Sequence, residues 1–538
     1  MTRKACAFNP VNSMTQPTQS AQGVQLANST LDQLPAQIER PTYDRQGLTP
    51  GIVHIGVGNF HRAHQAWYLH RLMQQGEALD WAIIGAGVRP ADAAMRDRLL
   101  AQDCLNTLIE LDPASDRAEV VGSMIDFLPV EPENGALIAC LSRPEIRIAA
   151  LTVTEGGYYV DSATGEFDAQ HADIQFDAAN PATPKTAFGA IVAALRLRRD
   201  SGAGPMTAQS CDNLQGNGAV LRQTVVGLAR LSDPELAAWI DTNCSFPNSM
   251  VDCIVPATGA RELELAKTVG VNDAAPVTHE NFRQWVIEDD FCAGRPDWDK
   301  VGAQFTSNVH DFEMMKIRIL NGGHQVISVP GELLSVESIS GCMQDADIRQ
   351  LFVTIAQREV APHVKAVPNM TPDSYIELIH SRFSNPKIVD TTRRVAFDGS
   401  SRHPGFILPT VREGIAAGQS IRGLALVEAA WARMCAGTRE DGSLIEANDP
   451  NWAHLNAVAL QAKDDPAAWL AMTNIYGDLG QNEAFSGAFA HWLTAIWKDG
   501  TRAAIQAYDH SRVGQPVARQ GAGHRDDVAA IHESLSHA

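Results

Sequence analysis

The chain has 538 residues, 45% of them hydrophobic and 20% charged, a composition typical of a globular protein with room for two or more domains. Its 43 basic and 63 acidic residues give a formal net charge of −20, which disfavours nucleic acids and anionic membranes as partners. The nine cysteines are scattered and include no Cys-x-x-Cys pair, which argues against a disulfide framework or a zinc ribbon and suits a reducing compartment.

Targeting and membrane signals are also missing from the sequence. No run approaches the roughly 18 consecutive apolar residues that cross a bilayer. No apolar segment follows Arg3 and Lys4, as it would in a secretory signal. We therefore expect a cytoplasmic protein that binds neither nucleic acid nor membrane.

The first part of the chain alternates between strand and helix patterns. Residues 1–24 are rich in Ser, Thr, Gln and Asn and predict a disordered tail. A short β-branched run from Gly51 ends in glycines, a helical stretch follows to about Met73, and a second apolar run covers 81–88. Strand, glycine turn, helix and strand are the opening of a βαβ unit.

Later segments extend this pattern and then replace it. Further strands are predicted in three apolar runs, 118–123, 146–153 and 250–255. After Asp311, long amphipathic segments such as 423–435 and 482–498 dominate. The sequence therefore predicts an α/β fold with these parts: a Rossmann-type, doubly wound sheet domain over 25–308, a mostly α-helical domain over 309–515 and a C-terminal tail over 516–538.

The glycine turn after the first strand predicts a nucleotide site. Gly56 and Gly58 would let a phosphate approach the backbone at a helix N-terminus, although His61 replaces the third glycine of the usual fingerprint. Near the second strand, Asp92 could accept from ribose hydroxyls, whereas Arg89 could attract the 2′-phosphate of NADP. Asp92 also lies farther from Gly56 than the usual spacing of about twenty residues. The residues alone leave the choice between NAD and NADP open.

Three histidines near this turn, His61, His64 and His70, could suggest a metal site. No cysteine or carboxylate joins them at a spacing typical of zinc ligands. We therefore predict no metal site and interpret these histidines as surface residues or as part of the nucleotide turn.

A second polar group lies within an apolar run at Lys316-x4-Asn321-x2-His324. On a regular helix, at about 100° per residue, these side chains fall within an arc of about 140°. Amines and amides there would lose water, and a polar substrate could replace it. In the alternative, the lysine reaches solvent and the other two bond to neighbouring backbone. Gly322 and Gly323 indicate close approach by a ligand or another backbone, because each glycine costs roughly 1 kcal/mol inside a helix.

Both regions belong to a longer series of motifs. In chain order these are Gly56-Val-Gly-Asn-Phe-His-Arg-Ala-His64, Thr154-Glu-Gly-Gly-Tyr158, Ser210-Cys-Asp-Asn213, Phe246-Pro-Asn-Ser-Met-Val-Asp252, Lys316-x4-Asn321-x2-His324 and Asp398-Gly-Ser-Ser401. Together they resemble the polyol-specific long-chain dehydrogenase/reductase family, over about Leu31 to residue 510. The resemblance implies a zinc-independent oxidoreductase that interconverts a polyol and a ketose with NAD, with D-mannitol and D-fructose as the expected pair. We expect a monomer or small homo-oligomer.

The resemblance assigns expected roles to residues of this chain. It implies that Lys316 is the general base, that Asn213 and Asn321 bind the reacting oxygen, that His324 helps to hold the substrate and that Glu155 gates proton passage to solvent. The expected substrate-binding residues are Asp252, Arg394 and Arg402. The expected cofactor-binding residues are Gly56, Gly58, Asn59, Phe60, His61, Arg62, Arg89 and Asp92, with Asp92 matching the acidic residue that selects NAD.

A lysine base requires a special environment. An ordinary lysine, with a pKa near 10.4, is protonated at neutral pH, and burial or a nearby cation would be needed to lower that pKa. Two asparagine amides aimed at the developing alkoxide would supply the electrostatic stabilisation that a metal supplies elsewhere.

Two departures from the family pattern leave the substrate open. Cys253 follows Asp252 where arginine is expected, and Arg402 replaces a lysine. Because the planar guanidinium suits a carboxylate, fructuronate reductase is the main alternative activity and arabinitol oxidation is a third. A protein that binds NADH as a sensor without catalysis is the alternative from another functional class.

Overall fold

The computed structural model describes residues 23–113, 116–161 and 164–510. The strands in these residues are β1 (Val24–Gln25), β2 (Pro50–Ile55), β3 (Ala82–Ala86), β4 (Asn106–Leu111), β5 (Asp116–Val121), β6 (Met124–Phe127), β7 (Ile148–Leu151), β8 (Thr207–Ser210), β9 (Ser249–Asp252), β10 (Val271–Asn272), β11 (Val277–Glu280), β12 (Gln284–Glu288) and β13 (Gln304–Thr306).

The helices of the first part alternate with these strands. They are α1 (Asn59–Ala63), α2 (Gln65–Gln74), α3 (Asp92–Leu100), α4 (Gly135–Leu141), α5 (Ala172–Ala179), α6 (Ala187–Ser201), α7 (Asn217–Ser232), α8 (Pro234–Asn243) and α9 (Ala260–Thr268). Short 3-10 helices cover Asn28–Gln33, Arg45–Gly47, Glu155–Tyr158 and Trp298–Val301.

A five-stranded parallel sheet in the order β6-β3-β2-β7-β8 forms the centre of this part. Strands β3 and β7 are buried along their whole length, as expected for short Ile- and Ala-rich runs covered by helices on both faces. Two smaller sheets, β11-β4-β5 and β13-β12-β9, contain antiparallel pairs that the sequence patterns did not predict. The predicted Rossmann-type sheet is confirmed, and the two mixed sheets are separate from it.

The second part is helical. Its α-helices are α10 (Val309–Met315), α11 (Gly322–Leu333), α12 (Ile339–Gln344), α13 (Ala346–Ile355), α14 (Pro372–Phe383), α15 (Thr392–Val395), α16 (Gly399–Phe406), α17 (Leu408–Ala416), α18 (Arg422–Cys435), α19 (Trp452–Ala462), α20 (Ala467–Leu470), α21 (Thr473–Tyr476), α22 (Glu483–Asp499) and α23 (Thr501–His510). Two π-helical segments, Lys316–Asn321 and Ala356–Val360, and two 3-10 helices, Ala361–His363 and Leu479–Gln481, interrupt them.

Helix α18 lies at the centre of the helical part. It is buried from Gly423 to Cys435 and packs against α22, because its small residues allow close approach. A Cβ on Gly423 would lie 2.4 Å from the hydroxyl of Tyr508. The predicted helical domain is therefore present, with one large apolar core that also includes Met250 of β9 and Val286 of β12. No helix in the described ranges is long and apolar enough to span a membrane.

The limits of the two tails stay predictions, with one correction. Val24 pairs with Val271 in a parallel bridge between β1 and β10, so strand structure already exists at the last residue of the predicted tail 1–24. The rest of that tail up to residue 22, and the tail 516–538, lie outside the described residues.

The prediction that His61, His64 and His70 are surface or turn histidines is wrong in its first alternative, because all three are buried. The ring of His61 stacks on that of His54, with 3.4 Å between centroids. A hydrogen bond of 2.7 Å joins Nδ1 of His70 to the Tyr43 hydroxyl. Burial lowers the pKa of His54, His64 and His70 to about 3, and that of His61 well below its ordinary value.

These buried rings predict acid lability. In the unfolded chain each histidine takes up a proton near pH 6.5, whereas the folded protein keeps it neutral down to about pH 3 for His54, His64 and His70. Stability should therefore fall as pH drops below about 6.5, by roughly 1.4 kcal/mol per pH unit for each such histidine. Urea unfolding between pH 7.5 and 5 should show this slope.

Two histidine variants, one at a buried and one at an exposed position, test whether burial causes this pH dependence of stability. His70→Gln should reduce the slope of unfolding free energy against pH by close to one proton, whatever it does to stability at pH 7.5. His454→Gln, at an exposed position, should leave the slope unchanged. Equal slopes in wild type and His70→Gln would contradict the account.

Candidate active site

The Lys316 segment does not form the regular helix that its spacing predicted. Residues Lys316–Asn321 form a π-helical turn between α10 and α11. Such turns are rare and are frequent at functional sites, because the widened backbone displaces side chains from their regular positions. The predicted arc of three side chains is therefore wrong in detail, although all three residues lie in the same continuous helical stretch.

The two glycines after this turn serve packing. A Cβ on Gly322 would lie 3.3 Å from the carbonyl oxygen of Phe406, and one on Gly323 would lie 2.6 Å from the ring of Phe352. The predicted close approach is thus made by a neighbouring backbone and an aromatic ring.

The amine of Lys316 is held inside the protein. Only 7% of this residue is exposed, and its Nζ donates at 2.7 Å to the Oδ1 of Asn213 and at 2.7 Å to the carbonyl oxygen of Val251. These acceptors come from the loop after β8 and from the strand β9. The lysine therefore crosses from the helical part to the carboxyl ends of the sheet strands.

A cavity of about 200 Å³ lies beside this amine. Its walls include Asn213 and Asn321 together with the apolar side chains of Met250, Ile317 and Phe406. Because the side-chain oxygen of Asn213 accepts from Lys316, the side-chain NH2 group of Asn213 is the part that can donate to a substrate. The structure thus brings three predicted catalytic residues, Lys316, Asn213 and Asn321, to one cavity.

The loop that carries Asn213 is fixed by its neighbour Asp212. The Asp212 carboxylate accepts from the backbone N–H groups of Val153 and Thr154, both at 2.9 Å, and from the Tyr158 hydroxyl at 2.6 Å. Asn217 donates to the carbonyl oxygens of Asp212 and of Ser249 on β9. These bonds join the strand ends around the cavity.

The carboxylate of Asp252 is occupied by a residue that the sequence did not indicate. Arg382 donates to both oxygens of Asp252, at 2.7 and 2.9 Å, and to both oxygens of Glu280, at 2.9 and 2.7 Å. All three are buried. Although burial opposes it, the guanidinium holds the pKa of Asp252 below its ordinary value, whereas burial raises the pKa of Glu280. The carboxylate of Asp252 therefore joins β9 to α14, and its contact with substrate stays a prediction.

The remaining predicted substrate residues lie beyond Asn321. His324 stacks on Phe383 with 4.3 Å between centroids, and burial lowers its pKa to about 4, so the ring is neutral at pH 7. Arg394 is largely exposed and forms an ion pair with Asp390. Arg402 donates to the carbonyl oxygen of Val395. Within the described residues the cavity walls include none of these three.

The glycine turn is built to receive a nucleotide. Gly56 has φ of +91°, and a Cβ there would lie 2.1 Å from the carbonyl oxygen of Thr152, so only glycine is tolerated. Gly58 is exposed, and a Cβ there would meet no heavy atom within 4 Å. The turn lies at the carboxyl end of β2 and leads directly into α1. This arrangement fits a dinucleotide phosphate.

Three other residues of the predicted cofactor set are used for packing. His61 and Arg62 are buried, and the guanidinium of Arg62 donates to the carbonyls of Gly58 and Ala275 and to the side chain of Asn59. The Asn59 amide donates to the carbonyl of Pro256 and the hydroxyl of Thr258. The guanidinium of Arg62 thus fixes the turn from inside the protein, and the cofactor-binding roles of His61 and Arg62 stay predictions.

Asp92 and Arg89 lie beyond the carboxyl end of β3, where a cofactor ribose is expected. Asp92 begins α3 and accepts from the backbone N–H groups of Val88 and Arg89, at 3.1 and 3.0 Å. Its carboxylate is also 3.7 Å from the exposed guanidinium of Arg89. Phe60, in α1 after the glycine turn, has a half-buried ring that stacks on His64.

The structure does not test two of the predictions, which are the gating role of Glu155 and the absence of a metal site. The backbone of Glu155 belongs to a 3-10 helix, but its side chain lies outside the described residues, so its gating role stays a prediction. In the described ranges no three His, Cys, Asp or Glu side chains cluster as metal ligands.

Sequence reasoning missed several residues that hold the site. Asp212, Asn217, Glu280 and Arg382 bond to groups distant in the chain, as Arg382 does to Asp252 across 130 residues, and Asp390 bonds to Arg394 four residues later. Of these residues, only Asp212 could have been identified from the sequence, since it directly precedes Asn213 in the motif Ser210-Cys-Asp-Asn213. The backbone carbonyl of Val251 could not be identified as a partner of Lys316, because every residue has a backbone carbonyl.

Comparison with known proteins agrees with this architecture. The family model "Mannitol dehydrogenase Rossmann domain" matches residues 50–300, and "Mannitol dehydrogenase C-terminal domain" matches 308–497. Mannitol 2-dehydrogenase of Cereibacter sphaeroides is 57% identical over 471 residues, which cover 88% of this chain and 98% of that protein.

Two solved structures are similar along most of the chain. The ternary complex of Pseudomonas fluorescens mannitol 2-dehydrogenase with NAD and D-mannitol is 40% identical, with a TM-score of 0.81, and covers 90% of this chain and 99% of its own. A substrate-free D-sorbitol dehydrogenase is 37% identical, with a TM-score of 0.82, and covers 89% and 100%. The resemblance indicated by the motifs is confirmed: this chain belongs to the mannitol dehydrogenase family.

Proposed function

We propose that this protein is an NAD-dependent polyol dehydrogenase that oxidises D-mannitol to D-fructose without zinc, with Lys316 as the general base. The observation that carries the proposal is the buried Lys316 amine, placed between Asn213 and Val251 beside the cavity. The relative from Pseudomonas fluorescens binds NAD and D-mannitol, and the nucleotide turn of this chain fits the same cofactor class.

The hydrogen bonds of Lys316 support a role in proton transfer. A neutral amine has two N–H groups and one lone pair. The bonds to the oxygens of Asn213 and Val251 orient the amine beside the cavity, where its neutral form can accept the proton of a substrate hydroxyl. In the reverse direction the ammonium form donates that proton to the carbonyl oxygen of the ketose.

The cavity amides support stabilisation of the alkoxide. The amide of Asn213 is a donor because its oxygen is taken by Lys316, and Asn321 supplies a second carboxamide in the cavity wall. Donors that are already oriented stabilise developing negative charge at no cost of reorganisation.

NAD, when bound, supplies the acceptor for the hydride that leaves the carbinol carbon. Gly56 and Gly58 would receive its phosphates. Asp92 would face the adenosine ribose and disfavour the 2′-phosphate of NADP by charge repulsion.

A substrate panel tests this proposal. We expect the purified protein to show its highest kcat/KM with D-mannitol and NAD, lower values with D-arabinitol and with NADP, and little reduction of fructuronate. A preference for fructuronate would replace the proposed substrate with a uronate. Tight NADH binding without turnover of any polyol, ketose or uronate would instead indicate a sensor.

A further inference from the structure

The ion pair between Arg394 and Asp390 carries an inference about substrate choice. Arg394 donates through Nε at 2.6 Å to one oxygen of Asp390 and through Nη2 to the other. Asp390 is only 6% exposed, whereas the side chain of Arg394 is 68% exposed. The arginine is thus held at the surface by a buried carboxylate.

This pair is tied to the helix that carries the catalytic residues. Val395, the neighbour of Arg394, accepts at its carbonyl oxygen from Gln325 of α11 and also from Arg402 of α16. Gln325 directly follows His324, whose pKa responds to the charges of Asp390, Arg394 and Arg402. Asp390 therefore belongs to the same group of side chains as the predicted substrate residues.

We propose that Asp390 is a specificity-determining residue that neutralises Arg394, so that this edge of the site accepts a neutral polyol or ketose and rejects a uronate. The inference rests on the proposed function and on the predicted contact of substrate with Arg394, which lies outside the described walls of the cavity. It assigns a role to a carboxylate that the sequence motifs did not single out.

The chemistry of the two groups explains the discrimination. A guanidinium has five N–H donors, and Asp390 occupies the edge formed by Nε and Nη2. The remaining edge can still donate to sugar hydroxyls, which need no net positive charge. A uronate carboxylate placed there would meet the negative charge of Asp390, so its attraction to Arg394 would be largely cancelled.

Replacement of Asp390 by asparagine tests the inference, because it removes the charge and keeps the size and one acceptor oxygen. We expect the ratio of kcat/KM for fructuronate to kcat/KM for fructose to rise about tenfold or more in Asp390→Asn, mainly through a lower KM for fructuronate. This rise should shrink with added salt.

The control is Asp289→Asn. Asp289 binds Arg295 through the same Nε and Nη2 edge, but this pair lies in the loop after β12, whereas Val395 beside Arg394 is bonded to Gln325 and Arg402. This control variant should keep the wild-type ratio. The wild-type ratio itself tests the proposed function, whereas the change on Asp390→Asn tests this inference. A ratio in Asp390→Asn within twofold of wild type would overturn it, whatever the absolute activity.

Discussion

Replacing Lys316 by alanine should lower kcat/KM for polyol oxidation by about a thousandfold or more, since general base catalysis alone contributes about 10² to 10⁴ and the lysine also orients Asn213. NADH binding should survive, because Lys316 bonds to Asn213 after β8 and to Val251 on β9, whereas the glycine turn follows β2. Steady-state kinetics and titration of NADH fluorescence measure the two effects separately.

Two further variants make this result specific. Lys316→Arg keeps the positive charge but cannot lose its proton at accessible pH, so it should be nearly as inactive as the alanine variant. Lys300→Ala removes a surface lysine that pairs with Glu77 and should leave kcat/KM unchanged. An arginine variant with more than a tenth of wild-type activity would contradict a role as base.

Replacing Arg382 by methionine should destabilise the protein by about 3–5 kcal/mol, because it leaves the carboxylates of Asp252 and Glu280 buried without their shared cation. The penalty requires ionised carboxylates. It should therefore be largest at pH 8 and smaller near pH 5.5, where the two groups can take up protons. Urea unfolding at the two pH values measures both the size and the direction.

An exposed ion pair provides the control for Arg382. Arg222 and Asp241 are 2.8 Å apart, with exposed side chains, so Arg222→Met should cost about 1 kcal/mol or less. A loss on Arg382→Met that is no larger than this would contradict the idea that the buried cluster joins the sheet part to α14.

Much of the fold was predictable because local patterns specify it. The apolar runs at β2, β3 and β7 and the glycines at 56 and 58 indicated the parallel sheet and its nucleotide turn, and the structure places them there. The long amphipathic segments similarly became α18 and α22. Local sequence could not indicate the antiparallel pairing of β9 with β12, because that register depends on contacts between distant segments.

The site was predictable only in part, for a related reason. The spacing of Lys316 and Asn321 and the resemblance named the reacting groups, and the structure brings them to one cavity with Asn213. The π-helical turn, the carbonyl of Val251 and the partners of Asp252 and Arg394 follow from packing between the two parts of the chain. His61, Arg62 and Asp252 are polar residues that the fold buries, and local sequence gives no sign of that burial.

Chemical rescue of Lys316→Ala tests the central claim most directly. The deleted side chain borders a cavity of about 200 Å³, so a small primary amine can occupy the vacated space and act as base in its place. We predict that added ethylamine raises the rate of mannitol oxidation in proportion to its unprotonated concentration, and that it does not rescue Asn321→Ala. If no primary amine restored activity at any pH while NADH still bound, Lys316 would not be the base.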